Sequence, residues 1–196
     1  MTHSILFVMT GADSWTLNDG SKHKTGFWAE EAVVPLEVFR EAGYAVTVAT
    51  PRRRASPPGR RGQSQSRRRR IRRTRHTDAH LVDTDPELQD PISLSDVDIS
   101  DYDAVFVPGG HGPMEDLAVD TDAGALLIAA DQAKKTIGVV CHGPAILLAA
   151  TGEDGVNVFS GRTVTCFATP RSNRPGSPTR PPRGCSRTGS PTPASR

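Results

Sequence analysis

A thiol and an imidazole stand side by side at Cys141-His142, followed at once by Gly143 and Pro144. Those residue types suit nucleophilic chemistry, in which a thiolate attacks and a neighbouring base or acid moves the proton. Before them, Ile137-Gly138-Val139-Val140 has the length and β-branching of a strand buried on both faces, as in a parallel sheet. After them, Pro144 to Ala150 reads as an apolar helix, with proline tolerated in its first turn. Cys141 then occupies a strand-to-helix corner, beside unpaired backbone N–H groups and the positive end of a helix dipole. This setting predicts a lowered thiol pKa and a favoured thiolate. It is the nucleophile elbow of hydrolases with Cys in place of Ser. The plain alternative is a small buried hydrophobe, the usual fate of a free cysteine.

The elements that must position this pair can be read outward from it. Ser4 to Met9 is a first strand, and Gly11 to Lys24 a polar loop. From Thr25 the pattern turns helical, with Phe27, Ala32, Val33, Leu36, Val38 and Phe39 on one face and Gly43 as the stop. Pro35 inside that run predicts a kink or a break. Tyr44 to Ala49 is a second strand, closed by Pro51, so strand, helix and strand form a βα unit of a parallel sheet. Asp103 to Val107 is another buried strand, ending in Pro108-Gly109-Gly110-His111-Gly112-Pro113, and Asp122 to Lys134 is a helix. Glycine-rich turns thus follow both Val107 and Val140. Ligands of open parallel sheets sit outside the carboxyl ends of the strands, so both turns could border one pocket.

Composition bounds the rest. The 196 residues suffice for one α/β domain with a good core. A formal net charge of +2 conceals a sharp partition. Residues 52–75 hold twelve Arg and no acid, residues 155–196 hold seven Arg and no acid, and the remainder carries all 22 acids against five Lys and Arg. Three cysteines at 141, 166 and 185, without a CxxC pair, argue against a disulfide framework or a structural zinc site and point to a reducing cytoplasm. No secretory leader and no apolar run long enough for a membrane span is expected. The Arg-rich segment 52–80 and the Pro/Arg/Ser-rich segment 168–196 lack the apolar surface to offset chain entropy and are expected to be disordered.

Three motifs in this order carry a family resemblance. They are Asp19-Gly20-Ser21-Lys22-His23-Lys24-Thr25-Gly26-Phe27-Trp28-Ala29-Glu30-Glu31, then Tyr102 to Gly112, then Val139 to Ala145 with Cys141-His142-Gly143 at its centre. Over residues 4–51 and about 81–167 the chain resembles the DJ-1/PfpI (ThiJ) superfamily, and within it the glyoxalase III-like, heat-shock-chaperone branch with its class I glutamine amidotransferase-like domain. The resemblance implies an α/β, flavodoxin-like three-layer sandwich with a mainly parallel sheet over residues 1–167. It implies Cys141 as nucleophile, with Glu31 reaching the thiol as a protonated carboxyl and Glu30 in solvent. His142 would act as general base or acid, with a pKa near working pH. Gly110 and the His142 N–H would form the oxyanion hole, and His111 would line the pocket or cap it. Asp13, Asp19 and His23 lie in a nearby loop and receive no role.

The implied activity is cofactor-independent and metal-free: conversion of a 2-oxoaldehyde such as methylglyoxal to a 2-hydroxy acid, or the related deglycation. The alternatives are a Cys amidase or amidotransferase-like hydrolase and a non-enzymatic redox-sensing chaperone. Expected partners are a small aldehyde and a second copy in a homodimer. Nonspecific nucleic-acid contact through the Arg run is not favoured, since no aromatic residue is interleaved for base stacking.

The chain departs from the family after Thr165-Cys166-Phe167-Ala168, where an acid-rich helix would supply a carboxylate to orient the histidine. Here no acid follows Asp154. Read from GC-rich codons in a shifted frame, Ala168 to Ser195 permits Asn-Pro-Glu-Glu-Gln and other strings that the family places there; Arg52 to Ala55 likewise permits Gly-Gly-Val. Two frame disruptions are expected, one over residues 52 to roughly 78 and one from about 168 onward, leaving the C-terminal part incomplete and the activity impaired.

Overall fold

Ser4-Ile5-Leu6-Phe7-Val8, strand β1, alternates its side chains between two apolar layers, and the molecule is built outward from it. The structure, a computed structural model, describes residues 3–17, 19–52 and 81–165. The Arg-rich run beyond Arg52 and the segment from Cys166 onward, with the frame disruptions expected there, lie outside the described residues.

In chain order the elements are β1 (Ser4–Val8), a hairpin of β2 (Ser14–Thr16) and β3 (Lys22–Lys24), and helix α1 (Ala29–Glu41). There follow β4 (Ala45–Thr50), the four-residue α2 (Pro86–Gln89), β5 (Ile92–Ser93), β6 (Ala104–Val107), α3 (Thr121–Gln132) and β7 (Thr136–Val139). Five strands form one parallel sheet in the order β5-β4-β1-β6-β7. Chain direction along the sheet reverses at β1, so the loops after β1 and β6 flank the switch point where such sheets bind ligands.

Ile5, Phe7 and Met9 face α1, whose Ala32, Val33 and Leu36 are buried against them; Phe39 and Phe106 add aromatic edges around Phe7. Leu6 and Val8 face the other way, with Val105 and Val107, onto Ala123, Leu126, Leu127 and Ala130 of α3 and onto Ile146. Each fully buried side chain of this size contributes about 1.5–3 kcal/mol, which makes β1 the strongest single element. The expected three-layer α/β sandwich is therefore present.

Local differences from expectation have physical causes. α1 runs through Pro35 as one helix, because Ala32, Val33 and Leu36 anchor it to the sheet on both sides of the proline. Residues 11–24 are not a loop throughout. They carry the antiparallel β2–β3 pair, in which Gly20 N donates to Leu17 O (2.9 Å) at a positive φ. Gly143–Ala149 is a 3₁₀ helix rather than the expected α-helix, with Gly143 N donating to Val140 O (2.7 Å) and Ala145 N to His142 O (3.0 Å). β7 is the edge strand of the described sheet and is only half-buried, not covered on both faces.

The chain after the undescribed stretch is pinned by charge. Asp85, 5 % exposed, caps α2 through Leu88 N (3.3 Å) and pairs with Arg40 from the last turn of α1. Arg40 also binds Glu87 (2.6 Å).

Candidate active site

Cys141 has φ +55°, in the left-handed region that non-glycine residues avoid. Such a backbone costs on the order of 1–2 kcal/mol and persists only where its surroundings enforce it. Here Val140 N donates to Val107 O (3.2 Å), and Gly143 N closes the turn. The effect is to lift the side chain out of the sheet toward the turn after β6, the elbow expected from the sequence.

Four groups converge on the sulfur. His142 Nδ1 lies 3.3 Å from Sγ. The backbone N–H groups of Gly110 and His142 and the carboxyl of Glu31 lie near enough to act on the thiol electrostatically. Glu31 arrives from the first turn of α1, while Glu30 is exposed to solvent, as the motif implied.

Gly109, which the sequence reading passed over, holds these elements together. Its N–H donates to Glu31 Oε2 (3.1 Å), and its carbonyl accepts from Trp28 N (3.1 Å), so the start of α1 is stitched to the β6 turn. A Cβ at 109 would lie 2.5 Å from Cys141 Cβ and 2.7 Å from Glu31 Oε2. Gly110 is constrained differently: its φ is +94°, and a side chain would run into the backbone of Gly26 and Phe27.

The electrostatics correct two expectations. Burial pushes the Cys141 thiol above its ordinary range, and the nearby Glu31 carboxyl pushes it further, against the Gly110 and His142 N–H groups. The direction is opposite to the expected depression, with desolvation of the partly buried thiol as its first cause. Burial raises the Glu31 carboxyl as well, with the bonds from Cys141 and Gly109 opposing. Thiol and carboxyl therefore compete to keep a proton rather than to lose one. His142 is lowered to about 4, by burial first and by His111 second, so its imidazole is neutral at working pH and not poised near it.

His111 lines the site. Its ring meets His142 edge-on, with centroids 4.8 Å apart, and burial lowers its pKa. Trp15 of β2 packs against it with ring centroids 5.5 Å apart, and His23 of β3 approaches to 6.1 Å. Trp15 and His23 were given no role from the sequence, although they pair across the hairpin. A second acid that escaped notice, Asp116, braces the loop after β1 by accepting from Thr10 Oγ1, Gly11 N and Leu117 N, each at 2.7 Å. Its carboxyl is raised by burial.

All five residues singled out from the sequence, Cys141, His142, Glu31, Gly110 and His111, thus meet in one place. Among the described residues no group of His, Cys, Asp or Glu is arranged to hold a metal ion, and no helix is long and apolar enough to cross a membrane.

Known proteins resemble this chain to differing extents. The chain is 39% identical over 77 residues to the probable glutathione-independent glyoxalase hsp3104 of Schizosaccharomyces pombe, covering 38% of this chain and 34% of that protein. It is 27% identical over 182 residues to glyoxalase 3 of Candida albicans, covering 83% and 68%. The chain thus spans from about a third to about two thirds of the length of these curated relatives. The crystal structure of glyoxalase III from Candida albicans superposes with a TM-score of 0.63 at 24% identity, over 87% of this chain and 70% of that one, and shares the flavodoxin-like fold. The DJ-1/PfpI family pattern matches residues 23–176, a stretch that includes Glu31, Gly110 and the Cys141 elbow. With the sheet, the elbow and the pattern in agreement, the chain belongs to the DJ-1/PfpI family.

Proposed function

We propose that this protein converts 2-oxoaldehydes such as methylglyoxal to 2-hydroxy acids without glutathione, using Cys141 as nucleophile. One observation carries the reading: a thiol on a strained elbow, with the imidazole Nδ1 of His142 3.3 Å from its sulfur. Relatives named as glyoxalases support it.

The chemistry follows from the arrangement. With Nδ1 of His142 accepting, the thiol proton passes to the imidazole or to Glu31 as Sγ bonds to the aldehyde carbon. The carbonyl π pair moves to oxygen, and the N–H groups of Gly110 and His142 stabilise that oxyanion. The thiol proton passes on to the oxyanion, which completes the hemithioacetal and leaves His142 neutral to take the C1 proton; the C1–H electron pair forms the C1–C2 double bond as the ketone π pair moves to its oxygen. The C1 hydroxyl proton passes to the C2 oxygen and the His142 proton to C2, which oxidises C1 to a thioester and reduces the ketone to an alcohol, so no external redox partner is required. Water then cleaves the thioester, releasing the 2-hydroxy acid and restoring the thiol. Deglycation would begin with the same attack on a glycated side chain. A reducing cytoplasm is the compartment in which a thiol of this kind stays available.

The raised thiol has a functional counterpart here. A protonated resting thiol resists oxidation, and ionises only as the substrate takes the sulfur lone pair.

The test is lactate formation from methylglyoxal by the full chain without glutathione, compared with Cys141→Ala. Lactate from the parent and none from the variant is expected. Equal turnover by both, or release of ammonia from amides in place of lactate, would overturn the reading.

A further inference from the structure

Trp15 is 7 % exposed, yet it belongs to neither apolar layer of the sandwich. It is the buried residue of β2, and β3 beside it is exposed along its whole length. The hairpin is nevertheless held firmly: Thr16 N and Oγ1 both donate to the Glu115 carboxylate, at 2.7 and 2.8 Å, and Thr25 N donates to Asp13 O at 2.9 Å. What this anchoring achieves is the placement of one ring. The Trp15 indole lies on His111 at 5.5 Å, His111 meets His142 at 4.8 Å, and His142 Nδ1 reaches Cys141 Sγ at 3.3 Å.

We infer that Trp15 is a positioning residue, which acts through His111 to fix the ring of His142 against the nucleophile. An imidazole alone can turn about its side-chain bonds, and only a narrow range keeps Nδ1 on the sulfur. A ring packed edge-on against it removes that freedom, provided the second ring is itself held. Trp15 and His23 of the hairpin both pack against the second ring, at 5.5 and 6.1 Å, so the hairpin acts as a brace for the base. The same stack keeps water from the imidazoles, which agrees with burial as the first cause of the lowered pKa of both His111 and His142. The titratable groups near His142 include Cys141 in its own turn, with Glu31 from α1 beside that thiol, His111 from the β6 turn and, beyond it, His23 from β3.

The inference rests on the nucleophile–base reading of the site, but its test does not require the aldehyde chemistry. The full chain is compared with Trp15→Phe and Trp15→Leu by following iodoacetamide alkylation of Cys141 from pH 4.5 to 9, with the modified peptide identified by mass spectrometry. In the parent, His142 is neutral from about pH 5.5 upward, and alkylation over that part of the range rises with the single ionisation of the thiol. Trp15→Leu fills space without a ring face. It lets water reach His142, whose pKa then climbs toward the ordinary histidine range, and an imidazolium beside the sulfur promotes thiolate at acid pH. Alkylation at pH 5.5 is expected to rise about tenfold in Trp15→Leu, while Trp15→Phe keeps the parent profile. With methylglyoxal, kcat falls about tenfold in Trp15→Leu with KM little changed. A Trp15→Leu profile that superimposes on the parent's overturns the inference, whatever the change in melting temperature. Failure of the parent to make lactate would overturn the proposed activity alone and leave the alkylation comparison decisive for Trp15.

Discussion

Alanine at position 109 tests whether the site is held by close approach of its parts. The added methyl would lie 2.5 Å from Cys141 Cβ, 2.7 Å from Glu31 Oε2 and 2.9 Å from the backbone N of His142. Carbon pairs rest at roughly 3.5–4.0 Å, so the elbow and the β6 turn must separate by about 1 Å. Two of the three atoms belong to the strained elbow and its backbone, and no flexible chain end can yield in their place. Overpacking of this kind costs about 1–3 kcal/mol, which lowers Tm by about 2–10 °C for a chain of this size. A nucleophile displaced by about 1 Å loses on the order of a hundredfold in rate. The assay pairs thermal denaturation with two readouts, kcat/KM for methylglyoxal and the rate of Cys141 alkylation. Gly124→Ala is the control. Its Cβ would crowd the backbone of Ala149 on the far side of the sheet, with similar destabilisation and no change in turnover per folded molecule. Gly109→Ala with the parent's turnover and alkylation rate would refute the argument, as would equal loss of turnover in Gly124→Ala.

Two further outcomes concern protonation. His142 titrates at about 4 in the fold and near 6.5 when unfolded, so the unfolded chain binds the extra proton as pH falls through that window. Stability therefore drops between about pH 6.5 and 4, by at most about 3 kcal/mol from this group. The drop in Tm from pH 7 to pH 4.5 should be smaller in His142→Asn, and an equal drop would count against a buried neutral imidazole. Glu31→Gln removes the carboxylate that holds the thiol up and can donate its amide N–H to the sulfur. Alkylation at pH 7 should quicken about threefold for each tenfold gain in thiolate, because a thiolate of lower pKa is a weaker nucleophile. Because burial raises Glu31 in the fold, its stability contribution is greatest below the unfolded carboxyl range and is lost as pH rises. The Tm advantage of Glu31→Gln should therefore widen from pH 4 to pH 8.

How far the molecule could be read without its structure depends on the range of the interactions involved. β1, β4, β6 and β7 announce themselves in β-branched runs, because a strand's period is local. Cys141, His142, Glu31, Gly110 and His111 were legible because motif spacing preserves a site that topology assembles. The hairpin escaped because three-residue strands such as Lys22-His23-Lys24 carry too few side chains to show a period. Trp15 and Gly109 escaped because their partners lie across the fold: Trp15 meets a residue 96 positions away, and Gly109 one 78 positions away. The thiol's direction of shift was misjudged for a related reason. A dipole can be inferred from a following helix, but desolvation and the proximity of Glu31 are properties of the folded surroundings.

Glycine is the residue that a φ of +55° suits, and cysteine is the residue the proposed reaction needs. A sequence shaped by folding alone would drift toward glycine at 141 and grow hardier as it lost its sulfur. Selection of variants by heat resistance would thus enrich chains without a sulfur at this position, and a gain in robustness there would mark the loss of the proposed activity.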